Sequence, residues 1–199
     1  MPIEHLPKFI SDHYEVHEWR HALAILRQDF PKEFAEVCDV LNRFRLQQSW
    51  LTVGGGRKSK ISEWIDGAFL KHGWKPKKFD TKITVDVETY ESPTHEVDCF
   101  KNRVALEIEW NNKDPFFDRD LNNFRLLFDL RVISVGIIIT RCDELQDIFD
   151  ELGRGSSYGA STTHMSKLLP RIQGGGGAGC PILVFGIKKS LYAEHLQST

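Results

Sequence analysis

DCFKNRVALEIEW, residues 98–110, decides the reading of this chain. As a strand with alternating side chains, it puts Val104, Leu106, Ile108 and Trp110 on one face. Arg103, Ala105, Glu107 and Glu109 fall on the other. A strand with a strongly apolar face thus carries two carboxylates side by side on its opposite face, close to Asp98. HEVDCF and RVALEIEW, on either side of Lys101-Asn102, read as two arms of a hairpin. A turn there sets Asp98 across from Ala105 and Glu96 across from Glu107. Asp98 and Glu107 become diagonal neighbours, ~7–8 Å apart. Four acids, Glu96, Asp98, Glu107 and Glu109, then share one patch. Like charges facing each other destabilise a sheet, so something must compensate. One solution is a solvated acidic face screened by Arg103 and nearby lysines. The other is a hard cation such as Mg²⁺, which takes one or two carboxylates and keeps several waters. Such an ion can make a nucleophile from water and stabilise charge on a phosphoryl group.

Outward from the hairpin, the periodicity changes character several times. Upstream, HEWRHALAILRQD (17–29) has helical spacing, and Pro31 can start a second helix through Phe34, Val37, Val40, Leu41 and Phe44. GGG at 54–56 breaks the chain. SKISEWIDGAFLKH (59–72) fits a third amphipathic helix, with Gly73 as its stop. KITVDVE (82–88) alternates like a strand. Downstream, FFDRDLNNFRLLFDLR (116–131) returns to helical spacing, and VISVGIIIT (132–140) is apolar throughout, as a central strand covered on both sides should be. A short helix over 142–151, a polar loop, another short helix ending near Pro170 and a flexible GGGGAG connection (174–179) lead to a last buried strand, PILVFGI (181–187). This order of elements predicts an α/β protein, a mixed sheet flanked by helices.

Composition sets the outer bounds. The 199 residues suit one domain over 1–199, and 41% hydrophobic with 27% charged residues is ordinary for a globular chain. The formal net charge of -2 means that any basic surface is local, with acids collected elsewhere. Cysteines 38, 99, 142 and 180 form no CxxC pair, so reduced thiols in a cytoplasmic protein are expected. The N-terminus reads as no signal peptide, and no apolar run approaches the ~18 residues of a membrane span.

The spacing Asp98, Glu107, Glu109 resembles the active-site strand of the PD-(D/E)XK nuclease superfamily. The longer resemblance is to BglII/BstYI-type restriction endonucleases. There an acid and a V-A-x-E stretch lie on a hairpin, followed by a helix, a buried strand, a Ser-Tyr loop and an apolar strand ending in G-I. The matching features here are VDCFKNRVALEIEW, VISVGIII, GSSYGAST and PILVFGI, so the likeness covers about residues 17–188. It implies a restriction-endonuclease-like fold and Mg²⁺-dependent cleavage of double-stranded DNA by a homodimer at a short palindrome. The implied ends are 5′-phosphate and 3′-hydroxyl. Asp98 and Glu107 would ligate the metal, and Glu109 would position or deprotonate the attacking water. Lysine is usual at position 109. The glutamate here matches a BamHI-like variant, while the BglII/BstYI group has glutamine, so the role of Glu109 stays open. A GATC core is common among such enzymes. Glu63, on the third helix, is a further candidate acid, although an exposed helix acid is the plainer reading.

A phosphodiester substrate needs basic and polar contacts. In GGGRKSK, residues Arg57, Lys58 and Lys60 stand at a helix start, where backbone N–H groups favour phosphate; a solvated loop explains them equally well. Arg154, Ser156, Ser157, Tyr158, Ser161, Thr162 and His164, with Asn111 and Asn112, offer donors and acceptors for base edges. Lys71, Lys75, Lys77 and Lys78 read as solvent-facing. Two other functions fit less well but remain open: a repair-type nuclease of the same superfamily, and a non-catalytic DNA-binding module that keeps the fold. Paired-carboxylate glycoside hydrolysis fits poorly, because it needs acids facing each other across a cleft.

Overall fold

The computed structural model describes residues 5–52 and 58–194. The chain opens with α1 (Lys8–His13), β1 (Tyr14–Trp19), α2 (Ala22–Asp29), α3 (Pro31–Arg43), β2 (Leu46–Gln47), α4 (Gln48–Thr52) and α5 (Lys60–Lys71). Then come β3 (Lys75–Lys77), β4 (Asp80–Val85), β5 (Glu88–Pro93), β6 (Val97–Lys101), β7 (Val104–Ile108) and α6 (Pro115–Asp129). It closes with β8 (Val135–Arg141), α7 (Leu145–Glu151), α8 (Met165–Gln173), β9 (Ile182–Ile187) and β10 (Tyr192–Ala193).

Six strands form the central sheet in the order β1-β9-β8-β7-β6-β3. The middle pairs, β9 with β8 and β8 with β7, are parallel; the outer pairs are antiparallel. The sheet is therefore mixed, as the sequence predicts. Strand alternation sorts the core into two layers. Val104, Leu106 and Ile108 of β7, with Ile137, Ile139, Leu183 and Phe185, face α2, α3, α5 and α7. Ala105, Ile138, Ile182 and Val184 face Phe117, Leu121, Phe124 and Leu127 of α6, and Leu168 and Ile172 of α8. Every residue of β8 is buried, in keeping with a strand covered on both sides.

Several local readings change. The helix expected over 17–29 starts only at Ala22, and residues Tyr14–Trp19 form an edge strand on β9. Arg20 and His21, both at positive φ (56° and 58°), make the corner between them. KITVDVE is not one strand. Asp86, at φ 54°, turns the chain, and β4 pairs with β5 in a separate two-stranded arm. The helix of 165–173 runs past Pro170, which sits inside it. GGGGAG is a compact hydrogen-bonded turn pressed against α6 and β9: a Cβ on Gly176 would lie 3.1 Å from Leu121 Cδ1, and one on Gly177 would run into Ile182 Cδ1. Ser59 caps α5 by accepting the Ser62 N–H at 3.0 Å, so the third helix starts where the sequence places it. The four cysteines are free.

Candidate active site

The hairpin turns one residue later than expected. Its register pairs Lys101 with Val104, Phe100 with Ala105 and Cys99 with Leu106. Asn102 and Arg103, at φ 44° and 70°, occupy the turn, as a tight two-residue connection between twisted strands requires. Asp98 therefore does not pair with Ala105, and Glu96, which is exposed, does not pair with Glu107. Lys101 ties the hairpin end to α3 through Glu36 Oε1 at 2.6 Å.

Beyond Cys99 the ladder stops, and side chains take over its bonds. The Ile108 N–H donates to Asp98 Oδ2 at 2.9 Å, and the Asp98 N–H donates to Glu107 Oε2 at 3.2 Å. The two strands are held together at this end by the carboxylates themselves. Asp98 and Glu107 are thus neighbours through a mutual backbone and side-chain exchange. Glu107 is fully buried on the α6 face, and its Oε1 has no partner. Glu109, also buried, continues the same face and anchors its N–H on the Ile139 carbonyl at 2.9 Å.

The electrostatics follow from crowding acids in a dry place. Burial pushes Asp98 up to about 6; the charges of Asp66 and Asp120 add to this, while the Ile108 N–H and Lys58 oppose it. Burial drives Glu107 well above the ordinary carboxylate range, helped by Asp120 and Asp98. Glu109 is raised to about 9 by burial and by Asp120, against Asn112 Nδ2 (2.8 Å) and Arg119 (3.2 Å), both of which donate to it. Burial also raises Asp120, whose Oδ1 accepts two bonds from Arg119 at 2.9 and 3.0 Å. The Arg119 guanidinium lies 4.2 Å above the Phe116 ring.

A cleft of about 1080 Å³ opens beside these acids. Asp98 and Glu109 line it, with Asn111, Asn112, Arg154, Ser157 and Tyr158 from the expected DNA-contacting set. Lys58, Lys60 and Glu63 line its other side, from the start of α5. Lys60 pairs with Glu63 at 2.8 Å, and Lys58 pairs with Asp66. The remaining candidates lie elsewhere. Ser156 and Ser161 are exposed and do not line the cleft. Thr162 accepts from Arg141 Nη2 at 2.8 Å and donates to the Gly159 carbonyl. His164 is buried and pairs with Asp143 Oδ1 at 2.7 Å. Arg57 lies outside the described residues. Lys71, Lys75, Lys77 and Lys78 are exposed, as expected.

Three residues at the site escape the sequence reading. Asp66 lies one turn beyond Glu63 and lines the cleft; it accepts from Cys99 Sγ at 3.6 Å and repels Asp98. Asp120 holds a position in the apolar stripe of α6, between Phe117 and Phe124. An acid on the buried side of an amphipathic helix was the available signal. His95 precedes β6, lines the cleft, and had no sequence signal beyond its nearness to Asp98.

The family model for restriction endonuclease BglII/BglIII matches residues 14–187. No curated protein matches the chain.

Proposed function

Because the chain belongs to the BglII/BglIII restriction endonuclease family, and is thus a DNA endonuclease, we propose that it acts as a Mg²⁺-dependent homodimer on a short palindromic site. The whole chain would serve as one catalytic domain in the cytoplasm, leaving 5′-phosphate and 3′-hydroxyl ends. Among the described residues no helix is long and apolar enough to cross a membrane.

The observation that carries this reading is the open end of the β6/β7 ladder. There the carboxylates of Asp98 and Glu107 are bound to each other's strands beside a cleft of about 1080 Å³. The donor set fits Mg²⁺: it is all oxygen, and Glu107 Oε1 is buried with no partner of its own. Asp98 and Glu107 would hold the ion, which supplies charge stabilisation at the phosphate and a more acidic water. Burial holds Glu109 protonated in the metal-free chain. A cation on Asp98 and Glu107 would favour its ionised form, and with Asn112 and Arg119 fixing its two oxygens Glu109 would then take a proton from water in the cleft. Lys58 and Lys60, which line the cleft, would contact the phosphate backbone, and Arg154, Ser157, Tyr158, Asn111 and Asn112, which also line it, would read base edges. By analogy with the family, α6 or its neighbours form the dimer surface, and a GATC core is the first site to try.

Digestion of a long DNA of known sequence with Mg²⁺, followed by end mapping, tests the proposal. Discrete fragments with 5′-phosphates at one palindrome are expected. Scattered cuts would favour the repair-type alternative. In Glu107→Ala, cleavage should fall by about 10³-fold or more while DNA binding persists. Binding in the wild type without any Mg²⁺-dependent cleavage would favour the non-catalytic module.

A further inference from the structure

Behind the cleft wall, three side chains from separate elements converge: His95 before β6, Glu107 in β7 and Asp120 in α6. One ligand atom from each lies within 4.8 Å of the other two. Both acids are buried, and each keeps one oxygen without a partner, Glu107 Oε1 and Asp120 Oδ2. Bare carboxylate oxygens in a dry interior call for a cation or a proton.

We propose that His95, Glu107 and Asp120 form a second cation site, with Glu107 as the wall it shares with the Asp98 side, and that this site takes a first-row transition-metal dication such as Mn²⁺. An imidazole nitrogen with two carboxylates suits such ions, whereas Mg²⁺ prefers oxygen and retained water. An ion ~2.1 Å from each ligand atom closes this spread with small side-chain rotations. Outer contacts already orient the ligands: Asn123 Nδ2 donates to the His95 carbonyl at 3.1 Å, and Arg119 holds Asp120 Oδ1. His95 lines the cleft, which gives an ion a path inward. The Arg119 charge and Glu109 also face Asp120, so the competing arrangement is a proton held between Glu109 and Asp120 with no metal.

Pulsed EPR of Mn²⁺ added to the full-length, metal-free protein without DNA decides between the two. The wild type should show nitrogen modulation from a bound imidazole, and His95→Gln should lose it. Asp98→Asn should keep the nitrogen signal while losing cleavage, which separates this site from the catalytic reading. Asp120→Asn should weaken Mn²⁺ binding at least about tenfold. Absence of nitrogen modulation in the wild type, or its persistence in His95→Gln, overturns the site. If His95→Gln does not fold, Asp120→Asn decides, and an unchanged Mn²⁺ affinity overturns the site equally.

Discussion

Glu109 and Asp98 show what burial does to an acid before any metal arrives. Their ordinary values, 4.5 and 3.8, rise to about 9 and about 6 in the folded chain, chiefly because the charged form loses water. An acid raised by folding favours the native state only while it can keep its proton. Its contribution is complete below the unfolded value and is lost as pH climbs through the folded one. Without divalent ions, stability should therefore fall as pH rises from about 4 to about 9, by on the order of several kcal/mol in all. Urea unfolding in EDTA at a series of pH values measures this. Glu109→Gln cannot ionise, so it should make the upper part of the curve, above about pH 6, shallower, with Glu107 and Asp120 left to supply the remaining slope. Stability that instead rises across this window would show that these acids are ionised and compensated in the free protein.

Elements, more than single residues, place these acids. Gly136 of β8 lies directly beneath Phe124 of α6, and a Cβ there would come within 2.4 Å of the ring. This close approach seats α6, and Asp120 with it, on β8, the strand paired alongside the one that carries Glu107. Gly136→Ala should cost about 1–3 kcal/mol in chemical denaturation, because the packed ring must move. At the far end of β8, Arg141 is buried with no acid in ion-pair range among the described residues. Burial lowers it to about 10, yet it holds the 154–164 loop through the Tyr158 carbonyl (2.9 Å) and Thr162 (2.8 Å), and lies 5.2 Å over Phe149. Arg141→Met should leave the core folded but loosen this loop, making it cleave faster in limited proteolysis; an unchanged digestion pattern would show that the loop is held otherwise. The sequence makes the long, periodic elements readable: α3, α5, α6, β8 and β9 stand where their apolar spacing predicts. It hides β1, because Tyr14–Trp19 runs straight into a helical pattern and Trp19 fits both. The hairpin register was hidden too, since only the left-handed geometry of Asn102 and Arg103 fixes which two residues turn. Asp98, Glu107 and Glu109 were legible because they share one strand pair. Asp66, Asp120 and His95 were not, because they reach the site from elements whose packing angles no local pattern encodes.

At the scale of the whole molecule, a net charge of -2 and a polyanionic substrate are reconciled by position. Glu107, Glu109 and Asp120 are withdrawn into the interior, while Lys58 and Lys60 stand at the cleft. Among the described residues one cleft adjoins these acids, and on the proposed reading it would serve one strand of a duplex. A two-fold dimer would set two such clefts against the two strands of a palindrome, so that one encounter cuts both. A dimer carrying one wild-type and one Glu107→Ala chain, isolated by different affinity tags, separates this arrangement from independent monomers. It keeps both DNA-binding surfaces but only one working set of acids. On supercoiled plasmid it should accumulate the open circle at near half the wild-type first-cut rate, with linear product appearing only after rebinding. If the mixed species makes linear DNA as directly as the wild type does, one cleft serves both strands, and the two-fold assembly has no part in double-strand cleavage.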